Sequence, residues 1–289
     1  MKLLVTTDGS ARSLVALPHA ATLARATGST LTLVRVLDQF MDLGKHLAVK
    51  LDDAAALATA EWEASLAAAL RSAGVEGDLL VAKKVHGEET WNTILRAASE
   101  QGASLIAMDS RGAGAIRHAL LGSVAMGLLG RTELPVMVTG PRIQPTVSPT
   151  ASPADGYHVV ATSDGSPASL AVLRALRPLA ETTGLTVTLL RLCWPAARHS
   201  AEDCAAQLRS FRSELPASAR VTEVVREMTL TDGAAPAIVA VAGELGASAI
   251  ALATHGHSAA YHLFGGSTAL GVVSQSPVPV ILARSLKPG

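Results

Sequence analysis

The sequence predicts an α/β protein made of two tandem, doubly wound domains, each built on a five-stranded parallel sheet. Three features carry this reading: an internal duplication, an alternation of short β-branched runs with longer helical segments, and a proline-rich stretch at mid-chain. At 289 residues the chain is long enough for two such domains, each with its own core.

The duplication is legible residue by residue. Leu4-Val5-Thr6-Thr7-Asp8-Gly9-Ser10 returns as Val160-Ala161-Thr162-Ser163-Asp164-Gly165-Ser166, 156 residues on, and Leu31 to Val36 returns as Val187 to Leu192 at the same offset. Later blocks, Gly102-Ala103-Ser104 with Gly246-Ala247-Ser248 and Gly122-Ser123 with Gly266-Ser267, match at an offset of 144. The first copy therefore carries 12 extra residues, which fall in the Ala-rich segment near Asp52 to Ala73, a helix that is shorter in the second copy.

Within the first copy, Leu3 to Thr7, Leu31 to Val36, Leu79 to Val85, Leu105 to Asp109 and Val136 to Gly140 read as strands, being short, apolar and β-branched. Ser13 to Ala26, Asp52 to Ala73, Glu88 to Gln101 and Ser123 to Gly130 read as helices, several closed by a glycine such as Gly28, Gly74 or Gly102. Strands that are apolar on both faces and separated by helices belong to a parallel sheet covered on both sides. Between the copies, Pro141 to Pro153 repeats proline every fourth residue among serine and threonine, which reads as an extended spacer. The expected division is 1–141, a linker over 142–156, and 157–289.

Composition bounds the function classes. Apolar residues make up 49% and charged residues 17% of the chain, a globular balance. Lys plus Arg and Asp plus Glu both total 24, so no basic field exists to hold a phosphate backbone, and aromatics at 3% leave little for base stacking. No nucleic-acid partner is expected. Asp8 cuts the first apolar run too short for a signal peptide, and no apolar stretch reaches membrane length, so a cytoplasmic protein with no membrane partner is expected. Cys193 and Cys204 are the only cysteines and lack Cys-x-x-Cys spacing, which argues against zinc or a disulfide framework and reads them as core or surface thiols.

In doubly wound sheets ligands bind outside the carboxyl ends of the strands, where the strand order reverses. After the fourth strand of copy one come Asp109-Ser110-Arg111-Gly112, nine residues, and Gly122-Ser123-Val124 opening a helix; copy two has Ala253-Thr254-His255-Gly256, nine residues, and Gly266-Ser267-Thr268. Gly-Ser at a helix start offers unpaired N–H groups at the positive end of the helix dipole, with a hydroxyl beside them. That suits a phosphate. Gly112 and Gly256 let the backbone come close to a ligand. The plainer alternative is that the serines cap helices and the glycines only turn the chain.

This pattern resembles the ATP-binding universal stress proteins, whose motif is glycine, two residues, glycine, nine residues, then glycine with serine or threonine. The Asp-Gly-Ser after the first strand and the Leu-Pro-Val or Val-Pro-Val before the last extend the similarity over nearly the whole chain outside the linker. The resemblance implies an adenine nucleotide alpha hydrolase-like fold and ATP, with or without Mg²⁺, as the ligand. It places Asp8 and Asp164 at the base and ribose end, the backbone of Val36 and Leu192 against adenine, and Met108 and Leu252 packed on the base. Read alone, the aspartates would be turn formers and the four apolar residues core. The family also implies pairing through the last strand, so Val136 to Gly140 and Val280 to Arg284 are expected to join the halves as a pseudo-dimer; a homodimer is a further possibility.

The first motif glycine is Asp109 in copy one and Ala253 in copy two. A carboxylate 4 Å from a phosphate is repelled by about 4 kcal/mol at an effective dielectric near 20. Copy two is therefore expected to bind better than copy one, unless Asp109 turns away, holds Mg²⁺ or pairs with Arg111. His255, His257 and His262 gather near the second loop, where a metal site or general base competes with plain phosphate or water contacts; His255 is read as a hydrogen-bond donor to the ligand. No P-loop, nucleophile elbow or His-Glu-x-x-His helix is present, so turnover is expected to be nil or limited to slow ATP hydrolysis or autophosphorylation. A dimerising scaffold that has lost the nucleotide is the alternative function.

Overall fold

The first strand, β1 (Lys2–Thr7), buries Leu3, Leu4 and Val5 completely, as a strand covered on both faces must. The computed structural model describes residues 1–38, 51–111, 121–144, 156–194, 200–229, 231–255 and 267–285. After β1 come α1 (Ala16–Thr27), β2 (Thr30–Leu37), α2 (Leu51–Ser72), β3 (Asp78–Lys83), α3 (Thr90–Glu100), β4 (Leu105–Asp109), α4 (Ser123–Leu129) and β5 (Val136–Thr139). The second copy repeats the series as β6 (Tyr157–Ser163), α5 (Leu170–Ala180), β7 (Leu185–Cys193), α6 (Ala201–Phe211), β8 (Arg220–Glu227), α7 (Ala234–Glu244), β9 (Ala249–His255), α8 (Ser267–Gln275) and β10 (Val280–Ser285). The length difference falls where expected: α2 has 22 residues and α6 has 11.

Local chemistry sets the ends of these elements. Gly28 closes α1 in the left-handed region at φ 61°, which a Cβ would resist. Ser200 and Asp203 form a reciprocal capping box at the start of α6. Three sequence boundaries shift. The reading of Leu79 to Val85 as strand runs past Lys83 because β2, its only neighbour, ends at Leu37, and Val85 is left exposed. Helix α3 starts at Thr90 and not Glu88, since the Glu88 carboxylate folds back to accept from the Val85 N–H and the Thr93 hydroxyl. The first turn before α1 is a tight 3₁₀ turn over Ser13–Val15.

All ten strands form one sheet in the order β3-β2-β1-β4-β5-β10-β9-β6-β7-β8. Every pairing is parallel except the central one, where β5 and β10 run antiparallel with Val138 opposite Val280, Met137 opposite Ile281 and Val136 opposite Leu282. The last strands thus cover each other's edges, as expected. Strand β5 stops one residue before Gly140, where a Cβ would overlap the carbonyl oxygen of Val273 in α8 of the other copy.

The two faces of the sheet carry two apolar cores, and each runs unbroken across both copies. One lies under α1, α2, α5 and α6, with Leu17, Leu23, Leu66, Tyr157, Leu173 and Leu208 among its members. The other lies under α3, α4, α7 and α8, around Ile94, Leu128, Ile238 and Val272. On the first face Gly184 of copy two sits so close to α1 of copy one that a Cβ would overlap the Ala26 carbonyl oxygen. The beginning of the expected spacer is not extended: Ile143 is buried against copy one. Residues 145–155 of the linker lie outside the described residues.

Candidate functional site

In each half the strand order, 3-2-1-4-5 in copy one, reverses between the first and fourth strands, which places the ligand crevice of a doubly wound sheet outside the carboxyl ends of β1 and β4, and of β6 and β9. The sequence-predicted residues converge there. Asp8 follows β1, while Val36 is the penultimate residue of β2 and Met108 that of β4, the strands on either side of β1. Asp164, Leu192 and Leu252 hold the same stations around β6. Val36, Met108, Leu192 and Leu252 all face the second core, Met108 and Leu252 buried and the other two half-buried.

The Asp-Gly-Ser turns share their main bonds in the two copies, although the Ser10 hydroxyl donates to Ser13 and the Ser166 hydroxyl to Asp164. Asp8 Oδ1 accepts from the Ser10 N–H at 2.9 Å, and Asp164 Oδ1 from the Ser166 N–H at 2.9 Å. Below them Thr7 Oγ1 and Ser13 Oγ lie 2.7 Å apart, as do Ser163 Oγ and Ser169 Oγ. Each exposed aspartate therefore spends one oxygen on its own turn, the role local turn chemistry gives it. Both glycines have positive φ and are pressed by an arginine: Gly9 by Arg35, which stacks on Trp62 with 3.5 Å to the ring centroid, and Gly165 by Arg191 and Gln207. Gln207 Nε2 donates to the Gly165 carbonyl at 2.6 Å. Sequence reasoning missed these arginines, although their matched positions at the ends of β2 and β7 were visible.

The end of β4 holds the main departure from expectation. Asp109 does not face the crevice; its side chain is 1% exposed and turned into the protein. Oδ1 accepts from Arg12 Nε at 3.0 Å and from the Arg111 N–H at 3.0 Å, and Oδ2 accepts from Thr139 Oγ1 at 2.7 Å. The partner is thus Arg12 and not the Arg111 side chain, and the expected repulsion of phosphate has no geometric basis. Burial raises the Asp109 carboxyl above the ordinary carboxylate range, against the lowering by Thr139, the Arg111 N–H and Arg12. Arg12 also donates to the carbonyls of Gly140 at 2.6 Å and Ile143 at 2.9 Å, so one guanidinium ties β4 to the chain leaving β5. At the matching stations copy two has Ala168, Ala253 and Ala283. Three polar-to-alanine differences at matched positions were the sequence signal for this cluster.

The helix-start residues divide between described and undescribed chain. Gly122 is the extended N-cap of α4, and its N–H donates to the Ser110 carbonyl at 2.7 Å, while Ser123 is the first helical residue. Val124 follows in the same turn. In copy two α8 opens at Ser267 with Thr268 second. Gly112, Gly256, Gly266, His257 and His262 lie outside the described residues, and His255 ends β9. Among the described residues no group of three His, Cys, Asp or Glu is arranged for a metal ion. A groove of about 640 Å³ between Arg25, Ser29, Gly77 and Asp78 lies at the amino ends of β2 and β3, the opposite end of the sheet from the candidate site. No described helix is long and apolar enough to cross a membrane.

A doubly wound sheet with its crevice at a switch point, present twice in one chain, defines a tandem protein of the doubly wound α/β class. The model of the universal stress protein family matches residues 1–140 and 158–284, and the chain belongs to that family. Comparison with curated proteins gives no match. Among solved structures, a universal stress protein from Archaeoglobus fulgidus matches with a TM-score of 0.67 at 23% identity, covering 99% of this chain and 98% of that one. A second, from Pseudomonas aeruginosa, has a TM-score of 0.59 at 19% identity over 98% of this chain and 92% of that one. At these identities the likeness establishes the shared tandem fold.

Proposed function

We propose that this protein is a stress-response regulator that binds ATP or another adenine nucleotide, taken with or without Mg²⁺, in its second copy. The observation that carries the reading is the contrast at the end of the fourth strand: an Arg12–Asp109–Thr139 cluster with its carboxylate buried in copy one against Ala168, Ala253 and Ala283 in copy two. In copy two alanine stands at all three stations; the Gly266-Ser267-Thr268 sequence that leads into α8 would take the phosphate, and Leu192 and Leu252 would meet the base. In copy one the Asp109 station is closed to ligand and the Gly122 N–H is already engaged by Ser110.

The bound nucleotide would act by setting the conformation of the loop before α8, and hence partner choice, without turnover. Copy one then serves as the scaffold that completes the sheet, which gives the alternative, nucleotide-free reading its natural place in half of the chain. Mass analysis of small molecules released by denaturing the purified full chain tests the proposal. Adenine nucleotide at no more than one per chain supports it; no nucleotide released, together with no heat of ATP binding by calorimetry, sinks it.

A further inference from the structure

Between α1 and the connection from α2 to β3, copy one has an open groove where copy two is bridged. In copy two, Arg174 on α5 donates from Nε and Nη2 to the Glu214 carboxylate at 3.0 and 3.3 Å, and Arg177 Nη1 donates to the Glu214 carbonyl at 3.1 Å. These bonds tie α5 to the turn after α6. Counting 156 residues back, Arg174 and Arg177 match Pro18 and Ala21 of α1. Thr222 and Asp78 match by register, lying opposite Thr188 and Thr32, and eight residues before them stand Glu214 and Leu70. Copy one therefore has Pro18, Ala21 and Leu70 at the three stations, none of which can carry an ion pair. The space left open there, with Ala21 in its wall, is the groove of about 640 Å³, within the size range of small-molecule pockets.

The groove carries charges of both signs that the protein itself leaves unmatched. Arg25, in the last turn of α1, is exposed; its guanidinium donates to Thr22 Oγ1 of the same helix at 3.3 Å and joins no ion pair among the described residues. Glu76 and Asp78, at the entry to β3, are exposed, and among the described residues neither carboxylate accepts a hydrogen bond or joins an ion pair. Helices α1 and α2 both end here, so the negative ends of two helix dipoles add to the carboxylates. The rest of the wall is small, with Ala24, Gly28 and Gly74 in it. At the stations of Arg25, Glu76 and Asp78, copy two has Glu181, Arg220 and Thr222, a different set of charges.

We propose that this groove binds a free basic α-amino acid, arginine or lysine. The α-carboxylate pairs with Arg25, and the two cations of the ligand, its α-ammonium and its side-chain group, pair with Glu76 and Asp78. One negative and two positive groups on the ligand complement one positive and two negative side chains on the walls. A neutral amino acid would leave a carboxylate without its cation, and an amine lacking the carboxylate would leave Arg25 without its anion. The bound ligand would also bridge α1 to the entry of β3, the tie that Arg174 and Arg177 supply to copy two from its own chain. The site lies at the opposite end of the copy-one sheet from the crevice, so it does not depend on nucleotide binding and gives the chain a second small-molecule input.

Calorimetry of the full chain at low salt tests this, with L-arginine, L-lysine, L-citrulline, agmatine and N-acetyl-argininamide as the probes. Arginine or lysine is expected to bind with a Kd of about 1 mM or tighter; citrulline, which lacks the side-chain cation, and agmatine, which lacks the carboxylate, should each bind roughly tenfold more weakly. Arg25→Met should abolish the preference for arginine over agmatine, and Glu76→Gln with Asp78→Asn the preference for arginine over citrulline. All three side chains are exposed, so the variants keep the fold, and the wild-type comparison of the five probes decides the question by itself. No heat with either basic amino acid at about 10 mM, equal affinity for arginine, citrulline and agmatine, or undiminished arginine binding in both variants would overturn the proposal. N-acetyl-argininamide bound as tightly as arginine would overturn it too, and would assign the groove to an arginine of a partner polypeptide.

Discussion

Arg12 Nε lies 3.0 Å from Asp109 Oδ1, joining the turn after the first strand to the end of the fourth across 97 residues of sequence. The pair is half inside the protein: the Asp109 side chain is 1% exposed and that of Arg12 26%. Its other bonds, to Gly140 and Ile143, make it a fastener for the end of β5 as well.

Removing one partner strands the other. Asp109→Ala is expected to cost about 2 kcal/mol, less than a fully buried pair because Arg12 keeps two carbonyl acceptors and some water, and Arg12→Ala about 3 kcal/mol because it leaves a buried carboxylate without its cation. The double variant, which reproduces two of the three alanines of copy two, should be more stable than Arg12→Ala alone. Denaturant unfolding of the three proteins measures the coupling; additive losses would mean that the pair does not act as a unit.

Because the Asp109 carboxylate points inward, Asp109→Gly should not create or tighten ATP binding in copy one. Gly266→Asp, which places a carboxylate at the start of α8, should weaken ATP binding by the full chain at least tenfold, while Gly122→Asp leaves it unchanged. Calorimetry on the three full-length variants separates the copies. A loss from Gly122→Asp equal to that from Gly266→Asp would show that the copies share the ligand.

His19 on α1 is buried with Nε2 unpartnered, and burial holds its pKa down at about 4 against an ordinary 6.5. Between those values the unfolded chain takes a proton that the folded chain refuses, so this contribution to stability is complete above the ordinary value, falls as the pH drops, and is fully lost below the folded one. The loss amounts to roughly 3 kcal/mol. His19→Leu should remove that part of the acid sensitivity. Thermal unfolding of both proteins at neutral and mildly acid pH checks it, and parallel pH profiles would refute it.

Two glycines offer opposite outcomes for the same substitution. Gly184→Ala forces a methyl group onto the Ala26 carbonyl across the junction between copies and should cost about 2 kcal/mol. Gly243→Ala in the exposed part of α7 meets nothing within 4 Å and should stabilise by about 0.5–1 kcal/mol. Shifts of Tm in opposite directions are the expected reading.

The fold was legible because duplication doubles every signal: five strands per copy followed from repeats, β-branched runs and glycine stops, while the pairing of the last strands came from the resemblance to universal stress proteins. Boundaries missed where a neighbour decides them, as at Val85, which outruns β2, and at Glu88, whose side chain turns back on its own turn. Asp8 and Asp164, assigned to the base and ribose end by the resemblance, each accept from their own turn, the plainer role that Asp-Gly-Ser chemistry offers. Asp109 was misjudged because its direction depends on Arg12 and Thr139, which lie far off in sequence and become neighbours only when β1, β4 and β5 align.

The antiparallel seam between β5 and β10 has a consequence for what such a chain can become. An assembly of two identical chains must accept every substitution in both members at once, so a change that closes one crevice closes the other. Joined in a single polypeptide, the members are free to diverge. One can acquire an internal ion pair while the other acquires two cysteines, and the sheet between them is joined through Val136–Val138 and Val280–Leu282, which neither change touches.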